Sequence, residues 1–473
     1  MRAETVGDPA PTLRRVLGPL DATCIVIGAI IGVGIFFTPS RVAAIAGSGQ
    51  LALLAWAVGG AIALAGALTF AALGRAYHNA GGQYEVLRDA YGPGPAFVFV
   101  FCNATAVQGG AIAIIAVVCA QNLGIALAGA APAEPAVTLI AALLIVGLSG
   151  ANLAGVRCGA GIQNLTVFAK VATLLLIVAL ALPWQPSEPD ATSPFTPVGL
   201  TPPPSGPLAF GGLIFAAIVP AFFAYGGWQH ALWMAGEIRN APRNVPLAII
   251  VGVVIVVAVY LLANWAYLEL LGHAALAASS TPAADAVGAA WPVLGRRLVA
   301  GAVAVSALGV LNAQLLSGPR LVYRMACDGR FFAAFGRISP RFGTPVAAIG
   351  LLGGVALILL GLLTVAQESV DRLLTGVVFI DGVFFLLTGL ALLVLRARPG
   401  SRVRPPPSFG YPVVPLLFVA GEVGILLGAY LEPAGPRAAL ASTLWIGAGL
   451  GCYLLLFRGG AGRAGRAGPS EGA

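Results

Sequence analysis

The stretch Ile27-Gly-Ala-Ile-Ile-Gly-Val-Gly-Ile-Phe-Phe-Thr-Pro39 is apolar enough to cross a membrane, yet it carries glycines where a helix interior disfavours them. Gly32 and Gly34 each weaken a helix by about 1 kcal/mol relative to alanine, and Pro39 removes a further backbone donor. We therefore predict that this helix unwinds near Gly32. In hydrocarbon an unwound segment is tolerated only where it lines an enclosed or watery cavity, because its free N–H and C=O groups need partners. A bound ligand could be such a partner.

The overall composition is that of a polytopic membrane protein. Of 473 residues, 59% are hydrophobic and 9% are charged, and the mean hydropathy is +0.93. A net charge of +8 would indicate a nucleic-acid partner in a soluble chain. Here the lipid bilayer is the expected partner and no nucleic acid is expected, because the basic residues follow membrane topology. The six cysteines show no Cys-x-x-Cys spacing and are predicted to be free thiols.

Twelve apolar runs are long enough to span a bilayer, which takes about 20 residues each. We name them spans 1 to 12; they fall near residues 20–46, 50–77, 95–124, 134–153, 160–182, 207–238, 245–271, 293–326, 344–364, 372–396, 411–431 and 437–457. Twelve spans place both termini on the same side of the membrane, and twenty arginines lie on that side. Five arginines lie on the opposite side: Arg41, Arg296, Arg297, Arg372 and Arg437. Basic residues accumulate in cytoplasmic loops. We therefore expect a multi-pass protein of the cell inner (plasma) membrane with both termini cytoplasmic.

A proline-rich segment, residues 184–206, holds no basic residue and is predicted to be an extracellular loop. It separates a first unit of five spans (residues 20–183) from a second (207–396), whose first span carries Tyr225-Gly226-Gly227-Trp228 near its middle. Because five is odd, the second unit runs inverted. Two inverted five-helix units that each open with a discontinuous helix are the signature of a secondary transporter. Spans 11 and 12 (397–457) lie outside the repeat, and residues 1–19 and 458–473 are predicted cytoplasmic tails.

The two breaks present opposite partial charges. The first half of span 1 should end near Ile30 with free carbonyls, and the second half should begin near Val33 and Gly34 with free amides. Amides at a helix N-terminus suit a carboxylate, whereas carbonyl ends, here also Phe223 and Ala224 of span 6, suit an ammonium. One zwitterion would satisfy both breaks. The alternative is that the small residues only permit close helix packing, but two breaks at matching positions favour a ligand.

Five motifs resemble those of the amino acid, polyamine and organocation (APC) transporter superfamily, closest to its L-type amino acid transporters. They are "GAIIGVGIF" in span 1, "FAYGGW" in span 6, "GEIRNAPRNVP" at its cytoplasmic end, "GVR…QNLTVFAKV" leading into span 5 and "LNAQLLSGPRLVYRMACDG" in span 8. The resemblance covers spans 1 to 10. It implies an all-α, LeuT-like fold of twelve transmembrane helices and an α-amino acid as substrate.

The resemblance also implies a set of substrate-binding positions. They are Ile30, Gly32, Val33 and Gly34 in span 1 and Phe223, Ala224 and Gly226 in span 6. Val33 replaces the serine that is common in the family, which removes a hydroxyl contact but leaves the backbone contacts. Animal L-type members pair with a single-span glycoprotein through an outer cysteine after span 3. Residues 125–136 hold no cysteine, so a prokaryotic-like protein without a disulfide-linked heavy chain is implied.

Lys170 is the one lysine of the chain and lies about 15 Å from either end of span 5. A lysine at mid-membrane costs on the order of 2.5–3.5 kcal/mol, so it should face the bundle and bind carbonyl or hydroxyl groups. In related members that do without sodium, a lysine at the matching "AKV" position replaces a sodium ion. By resemblance we expect Lys170 to do so, with span 8 residues around Ser317 as partners. The alternative is a purely structural cation.

Four further polar residues are candidates. Gln229 and His230 follow the break in span 6 and could face the side chain of the substrate, although a buried histidine more often bonds a neighbouring helix. Asp381 in span 10 is an intramembrane carboxylate, which either has a function or faces an internal water cavity. Glu237, together with Arg239 and Arg243 at the cytoplasmic end of span 6, is expected to form either a cytoplasmic gate or a structural ion-pair cluster, and pairing at the surface is the favoured alternative.

Other functional classes fit the sequence less well. The histidines lack metal-ligand spacing, and no HExxH or G-x-S-x-G motif is present, so an enzyme, a metal site and a cofactor are not expected. A channel would favour filter-like repeats or rings of charge. Within the transporter class, a polyamine or cationic substrate would require acidic side chains in the pocket, and none flanks either break in sequence. We therefore predict transport of neutral L-amino acids, by sodium-independent exchange or by proton-coupled or facilitated uptake.

Overall fold

A computed structural model describes residues 13–183, 206–291, 295–366, 370–401, 403–431 and 435–458. Apart from one isolated bridge between Leu17 and Ile238, the regular structure of these residues is helical. The helices are α1 (Pro19–Ile30), α2 (Thr38–Ala46), α3 (Gly49–Gly74), α4 (Gly82–Tyr91), α5 (Pro93–Cys102), α6 (Gln108–Ala128), α7 (Glu134–Leu153), α8 (Val156–Ala181), α9 (Pro207–Tyr225), α10 (His230–Trp233), α11 (Ala241–Ala278), α12 (Pro282–Ala290), α13 (Gly295–Ser317), α14 (Pro319–Cys327), α15 (Val346–Ala366), α16 (Val370–Ala397), α17 (Val413–Leu431) and α18 (Gly435–Cys452).

Ten helical segments in the described part of the chain are long and apolar enough to cross a membrane. Two shorter apolar helices, Pro19–Ile30 and Phe210–Tyr225, belong to the predicted spans 1 and 6. These are the two spans in which we predicted an interruption. The all-helical polytopic fold is therefore confirmed, and the count of twelve spans stays a prediction. Most of the predicted tails and of the 184–206 loop lie outside the described residues.

The exterior of the bundle is apolar, as a bilayer requires. Large aliphatic side chains on spans 4, 9 and 12, such as Leu139, Leu143, Ile358, Leu362 and Leu444, are exposed. A soluble protein would avoid such a continuous apolar surface. Hydrocarbon is the environment that these faces fit.

Span 1 lies at the centre of the bundle. Its first half packs against spans 5, 7 and 8. Two further pairs of helices also pack along each other, span 2 with span 7 and span 3 with span 8. Small residues make the close approach possible. A Cβ at Gly252 of span 7 would lie 2.5 Å from Val26, and one at Gly28 would collide with Gln163 of span 5. The first half of span 1 is thus held by close packing against spans 5 and 7.

The described ends of the chain meet the same end of the bundle. Val16 and Leu17 donate backbone hydrogen bonds to the carbonyl of Glu237, at 2.9 and 3.0 Å, at the end of span 6. Phe457 packs against Phe331 and Phe332, in the segment that follows span 8. We call this end the N-terminal face and the other end the opposite face.

Candidate functional site

The break in span 1 lies where the glycines predict it. Helix α1 ends at Ile30, and Ile31 has a non-helical backbone with φ −69° and ψ 89°. A single 3-10 turn from Gly34 to Phe36 follows, and regular helix resumes at Thr38. The carbonyl end of α1 and the amides of this turn therefore meet near the middle of the membrane.

The break in span 6 lies at Gly226 and Gly227. Helix α9 ends at Tyr225, Gly226 has an extended ψ of 143°, and Gly227 has a φ of 136° that disfavours any side chain. The amide of Gly227 donates to the side-chain oxygen of Gln229 at 3.1 Å. Gln229 therefore satisfies one of the backbone groups that the break leaves free.

The two breaks touch each other. A Cβ at Gly227 would lie 2.7 Å from the carbonyl carbon of Ala29 and 2.8 Å from the amide nitrogen of Ile30, so only glycine permits this approach. The Tyr260 hydroxyl lies 3.0 Å from the Ile30 carbonyl oxygen and 3.1 Å from that of Ala224, and it links both helix ends. Sequence reasoning missed both residues. Gly227 is part of the motif quoted for span 6, so its backbone role could have been predicted. For Tyr260 the sequence offers no signal except that it is a tyrosine inside span 7.

Lys170 binds the broken end of span 1. Its side chain is fully buried, and its Nζ donates to the carbonyl oxygens of Gly28 at 3.0 Å and Ile31 at 2.5 Å. Ser306 of span 8 donates to the carbonyl oxygens of Ile31 and Gly32, at 3.3 and 3.2 Å. The carbonyls that α1 cannot use internally are thus bonded by spans 5, 7 and 8.

Ser317 is not a partner of Lys170, so that prediction was wrong. A Cβ at Gly309 would lie 2.9 Å from Lys170 Nζ, which shows where span 8 passes the lysine. Ser317 follows Gly309 by eight residues, or about 12 Å along a helix. Span 8 was predicted correctly as the neighbour of Lys170, but the residues of span 8 that lie beside the lysine were not.

Ser317 instead bonds His230. The Ser317 hydroxyl donates to the Ala313 carbonyl at 2.6 Å, and His230 Nδ1 lies 2.5 Å from the same hydroxyl oxygen. A hydroxyl has one proton to donate, so Nδ1 carries the proton of this second bond. The His230 ring also stacks on Trp233, with centroids 4.5 Å apart. His230 is therefore held within the protein and presents an edge to the cavity described next.

A central cavity of about 100 Å³ lies between the breaks. It collects the nine predicted substrate-binding residues, Ile30, Gly32, Val33, Gly34, Phe223, Ala224, Gly226, Gln229 and His230. Lys170 and Ser317 do not line it. Asp381 of span 10 does line it, which corrects the expectation that no acidic side chain flanks the pocket. No acidic residue is close to either break along the sequence, but the fold places Asp381 of span 10 at the cavity between the breaks.

A second cavity, of about 700 Å³, lies towards the opposite face. It shares Val33 with the central cavity, and its lining includes the exposed residues Thr281, Asp285 and Arg296. Phe37 and Phe223 pack together between the halves of spans 1 and 6, with ring centroids 6.3 Å apart. A thin apolar layer at Val33 therefore separates the central cavity from a larger vestibule.

Ion pairs lie between the central cavity and the N-terminal face. Arg320 forms a two-pronged pair with Glu237, with Nε to Oε1 at 3.0 Å and Nη2 to Oε2 at 3.1 Å, and both side chains are buried. The expected pairing of Glu237 with Arg239 and Arg243 was wrong, because the carboxylate turns into the bundle. Arg324 bonds Glu85 at 2.7 Å. Burial raises the pKa of Glu85 above its ordinary value, although the Arg324 charge acts in the other direction.

The described residues contain no group of three or more histidine, cysteine or acidic side chains placed to hold a metal ion. All six cysteines are free, and the two exposed ones, Cys158 and Cys327, lie towards the N-terminal face.

The sequence model of the amino acid permease family matches residues 17–457. The chain belongs to the amino acid permease family. Among its relatives, the human b(0,+)-type amino acid transporter 1 is 30% identical over 89% of the permease and 84% of that protein. The serine/threonine exchanger SteT of Bacillus subtilis (strain 168) is 29% identical over 88% of the permease and 91% of that protein.

A third relative is the mouse large neutral amino acids transporter small subunit 2, 28% identical over 88% of the permease and 76% of that protein. These similarities confirm the resemblance found in the motifs. The permease is an amino acid transporter of the APC superfamily and not an enzyme.

Proposed function

We propose that the permease moves neutral L-amino acids by alternating access, with the substrate held as a zwitterion in the central cavity. The observation that carries this proposal is the contact of the two breaks at Gly227 and Ala29, which sets the amides after Val33 near the carbonyl end of α9. The substrate carboxylate would bind the amides at Val33 and Gly34. Its ammonium would bind the carbonyl end of span 6 at Phe223 and Ala224, with Ile30, Gly32 and Gly226 completing the backbone cradle.

Gln229 and His230 would shape the specificity of this site. Both line the central cavity, although each also holds a bond within the protein. Replacing either by alanine would then change the ranking of substrates. A uniform loss for all substrates would instead assign the two side chains to packing alone.

Lys170 would take the place of a sodium ion. Its ammonium occupies the carbonyl end of α1, where a monovalent cation would otherwise satisfy the same oxygens. Transport would therefore be independent of sodium. Exchange of one amino acid for another is the mode we favour, since one relative is named an exchanger.

The N-terminal face would be the cytoplasmic side of the cell inner membrane, as the arginine distribution predicts. Residues 20–183 and 207–396 would form the two inverted units that move against each other. The permease would act without a disulfide-linked partner chain, because residues 125–136 hold no cysteine and both exposed cysteines lie towards the N-terminal face.

Counterflow into proteoliposomes tests this proposal. Vesicles loaded with one unlabelled neutral amino acid should accumulate labelled substrate without sodium, and the methyl ester and N-acetyl derivatives should not compete. Gly34→Val should abolish uptake while the protein still folds, because a Cβ there already lies 3.2 Å from Ala224. Equal competition by the two blocked derivatives would contradict zwitterion binding.

A cationic amino acid is a second candidate, because Asp381 lines the cavity. The same assay decides between the two. Labelled lysine and ornithine should be poor substrates if the proposal holds, and uptake faster than that of neutral amino acids of similar size would favour the cationic alternative.

A further inference from the structure

Span 10 presents one face to the central cavity. Val377, Val378, Asp381, Gly382 and Phe385 line it, at the spacing of a single helix face. Asp381 is partly exposed there, and among the described residues no hydrogen bond or ion pair joins its carboxyl to a basic side chain. The proposed function leaves this carboxyl without a role.

A second carboxyl lies directly behind the same face. Glu422 of span 11 has no exposed surface, and neither of its carboxyl oxygens has a hydrogen-bond partner. A Cβ at Gly382 would lie 3.6 Å from Glu422 Oε2, so the carboxyl points at the residue next to Asp381. Asp381 is also the charged group that acts electrostatically on Glu422. An unpartnered buried acid is therefore aimed at the wall of the substrate cavity.

Among the described side chains, the other elements around Glu422 bring no charge that could balance it. Span 2 carries Arg75 and Tyr77 only in its last turn, where the Tyr77 hydroxyl donates to Asp89, and α9 contributes Tyr225, whose hydroxyl already donates to the carbonyl of Trp56. Span 12 carries Arg437 at its exposed start and Cys452 and Tyr453 near its end. On span 10, Arg396 bonds Pro405 at the N-terminal face.

The groups that face Asp381 are equally few. His230 lines the same cavity, and its Nδ1 is bonded to Ser317. The charged side chains of α4, Glu85, Arg88 and Asp89, lie at the N-terminal face, where Glu85 and Arg88 pair with Arg324 and Asp328. Among the described side chains, neither Asp381 nor Glu422 therefore has a basic partner.

A pair of adjacent carboxyls in this setting binds a proton. Two ionised carboxylates at close range repel each other strongly, and a buried charge without a donor costs several kcal/mol. A proton on Glu422 removes its buried charge and the repulsion between the two groups, and the remaining charge then stays on Asp381, where water reaches it. We propose that Asp381 and Glu422 form a proton-binding site, open to the central cavity at Asp381, which couples proton movement to amino acid transport.

The coupling follows from closure of the cavity. An ionised Asp381 is tolerable while water reaches it, but closing the cavity over a net-neutral zwitterion removes that water. A proton that enters with the substrate neutralises the pair and permits closure, and it leaves when the cavity opens on the other side. Loading therefore adds one positive charge to the permease and leaves the site without net charge. This inference rests on the proposed function and names its coupling ion.

The test follows proton movement in proteoliposomes that hold pyranine and no amino acid, and it follows exchange in proteoliposomes of the same preparation loaded with unlabelled amino acid. Adding external alanine, serine or leucine without sodium to the unloaded vesicles should acidify the lumen in the wild type, because each net uptake event brings in one proton. Glu422→Gln should lose this acidification and retain exchange of labelled for unlabelled amino acid. Glu134→Gln is the matched control, because it makes the same change at an exposed site at the start of span 4 and should behave as the wild type does.

Infrared difference spectroscopy gives a second readout that does not depend on transport. The wild type near neutral pH should show the C=O band of a protonated carboxyl, and Glu422→Gln should remove it whereas Glu134→Gln should not. Acidification without change in Glu422→Gln, or uptake driven by sodium instead of protons, would overturn the proton site. Exchange without acidification in the wild type would overturn the proton site alone, and absence of both with the infrared band intact would overturn the proposed function alone.

Discussion

Lys170 Nζ lies 2.5 Å from the carbonyl oxygen of Ile31, so an ammonium from span 5 holds the end of the interrupted helix. We expect Lys170→Met, which keeps most of the apolar stem, to reduce transport at least about tenfold, because it leaves buried carbonyls unpaired at about 1–3 kcal/mol. Initial uptake rates in proteoliposomes measure the effect. Added sodium should not stimulate the wild type. Sodium-dependent uptake by the wild type, or Lys170→Met with wild-type rate and affinity, would contradict the role of this amine.

Tyr260→Phe should weaken the link between the two breaks. The variant removes a hydroxyl that lies within hydrogen-bonding distance of Ile30 and Ala224, and we expect substrate affinity to fall about fivefold, as loss of a bond worth about 1 kcal/mol implies. Tyr267→Phe is the matched control. It removes a hydroxyl without a partner seven residues further along the same helix, and it should leave affinity unchanged. Equal effects of the two variants would refute the linking role.

Gly227→Ala should unfold or inactivate the permease, since its Cβ would lie within 3 Å of the Ala29 and Ile30 backbone. Gly226→Ala differs by one position and has a φ of −59°, with the nearest atom 3.7 Å from its Cβ. Its melting temperature in detergent should stay close to that of the wild type. If Gly227→Ala is as stable and active as the wild type, the close contact of the breaks is not required.

The Arg320–Glu237 pair should show strong non-additivity. Removing one partner leaves a buried charge and should cost about 3–5 kcal/mol, whereas replacing both by apolar residues of similar volume can be nearly neutral. Arg320→Met and Glu237→Leu should each lower the melting temperature sharply, and the double variant should recover much of the loss. Additive losses in thermal melts would indicate that the two residues act independently.

Glu85 gives a pH dependence of known sign. Its pKa is raised in the folded protein by burial, so its protonated form is the better accommodated one. The contribution of this group to stability is full below its ordinary pKa of about 4.3 and is lost as pH rises through the folded value. Glu85→Gln should therefore gain melting temperature relative to the wild type as the pH rises above about 4. Glu134→Gln should show no such trend, and an opposite slope for Glu85→Gln would contradict the assignment.

The sequence predicted features that are written into one segment at a time. Glycines within apolar runs located both breaks, and the isolation of Lys170 in an apolar helix required a partner for its charge. Contacts between spans were harder to predict, because they depend on the rotation and level of one helix against another. Lys170 therefore lies beside Gly309 rather than Ser317 and shares the Ile31 carbonyl with Ser306, and Asp381 lines a cavity whose other walls are far from it in sequence.

The pairing of Leu17 with Ile238 has a mechanical consequence. The backbone just before span 1 is hydrogen-bonded to the backbone at the end of span 6, so these two segments cannot separate without breaking those bonds. The bonds therefore hold the two broken spans together at the N-terminal face, on the side away from the vestibule. A nanobody raised against these two segments would slow the transporter without touching the amino acid site, and amino acids would not displace it.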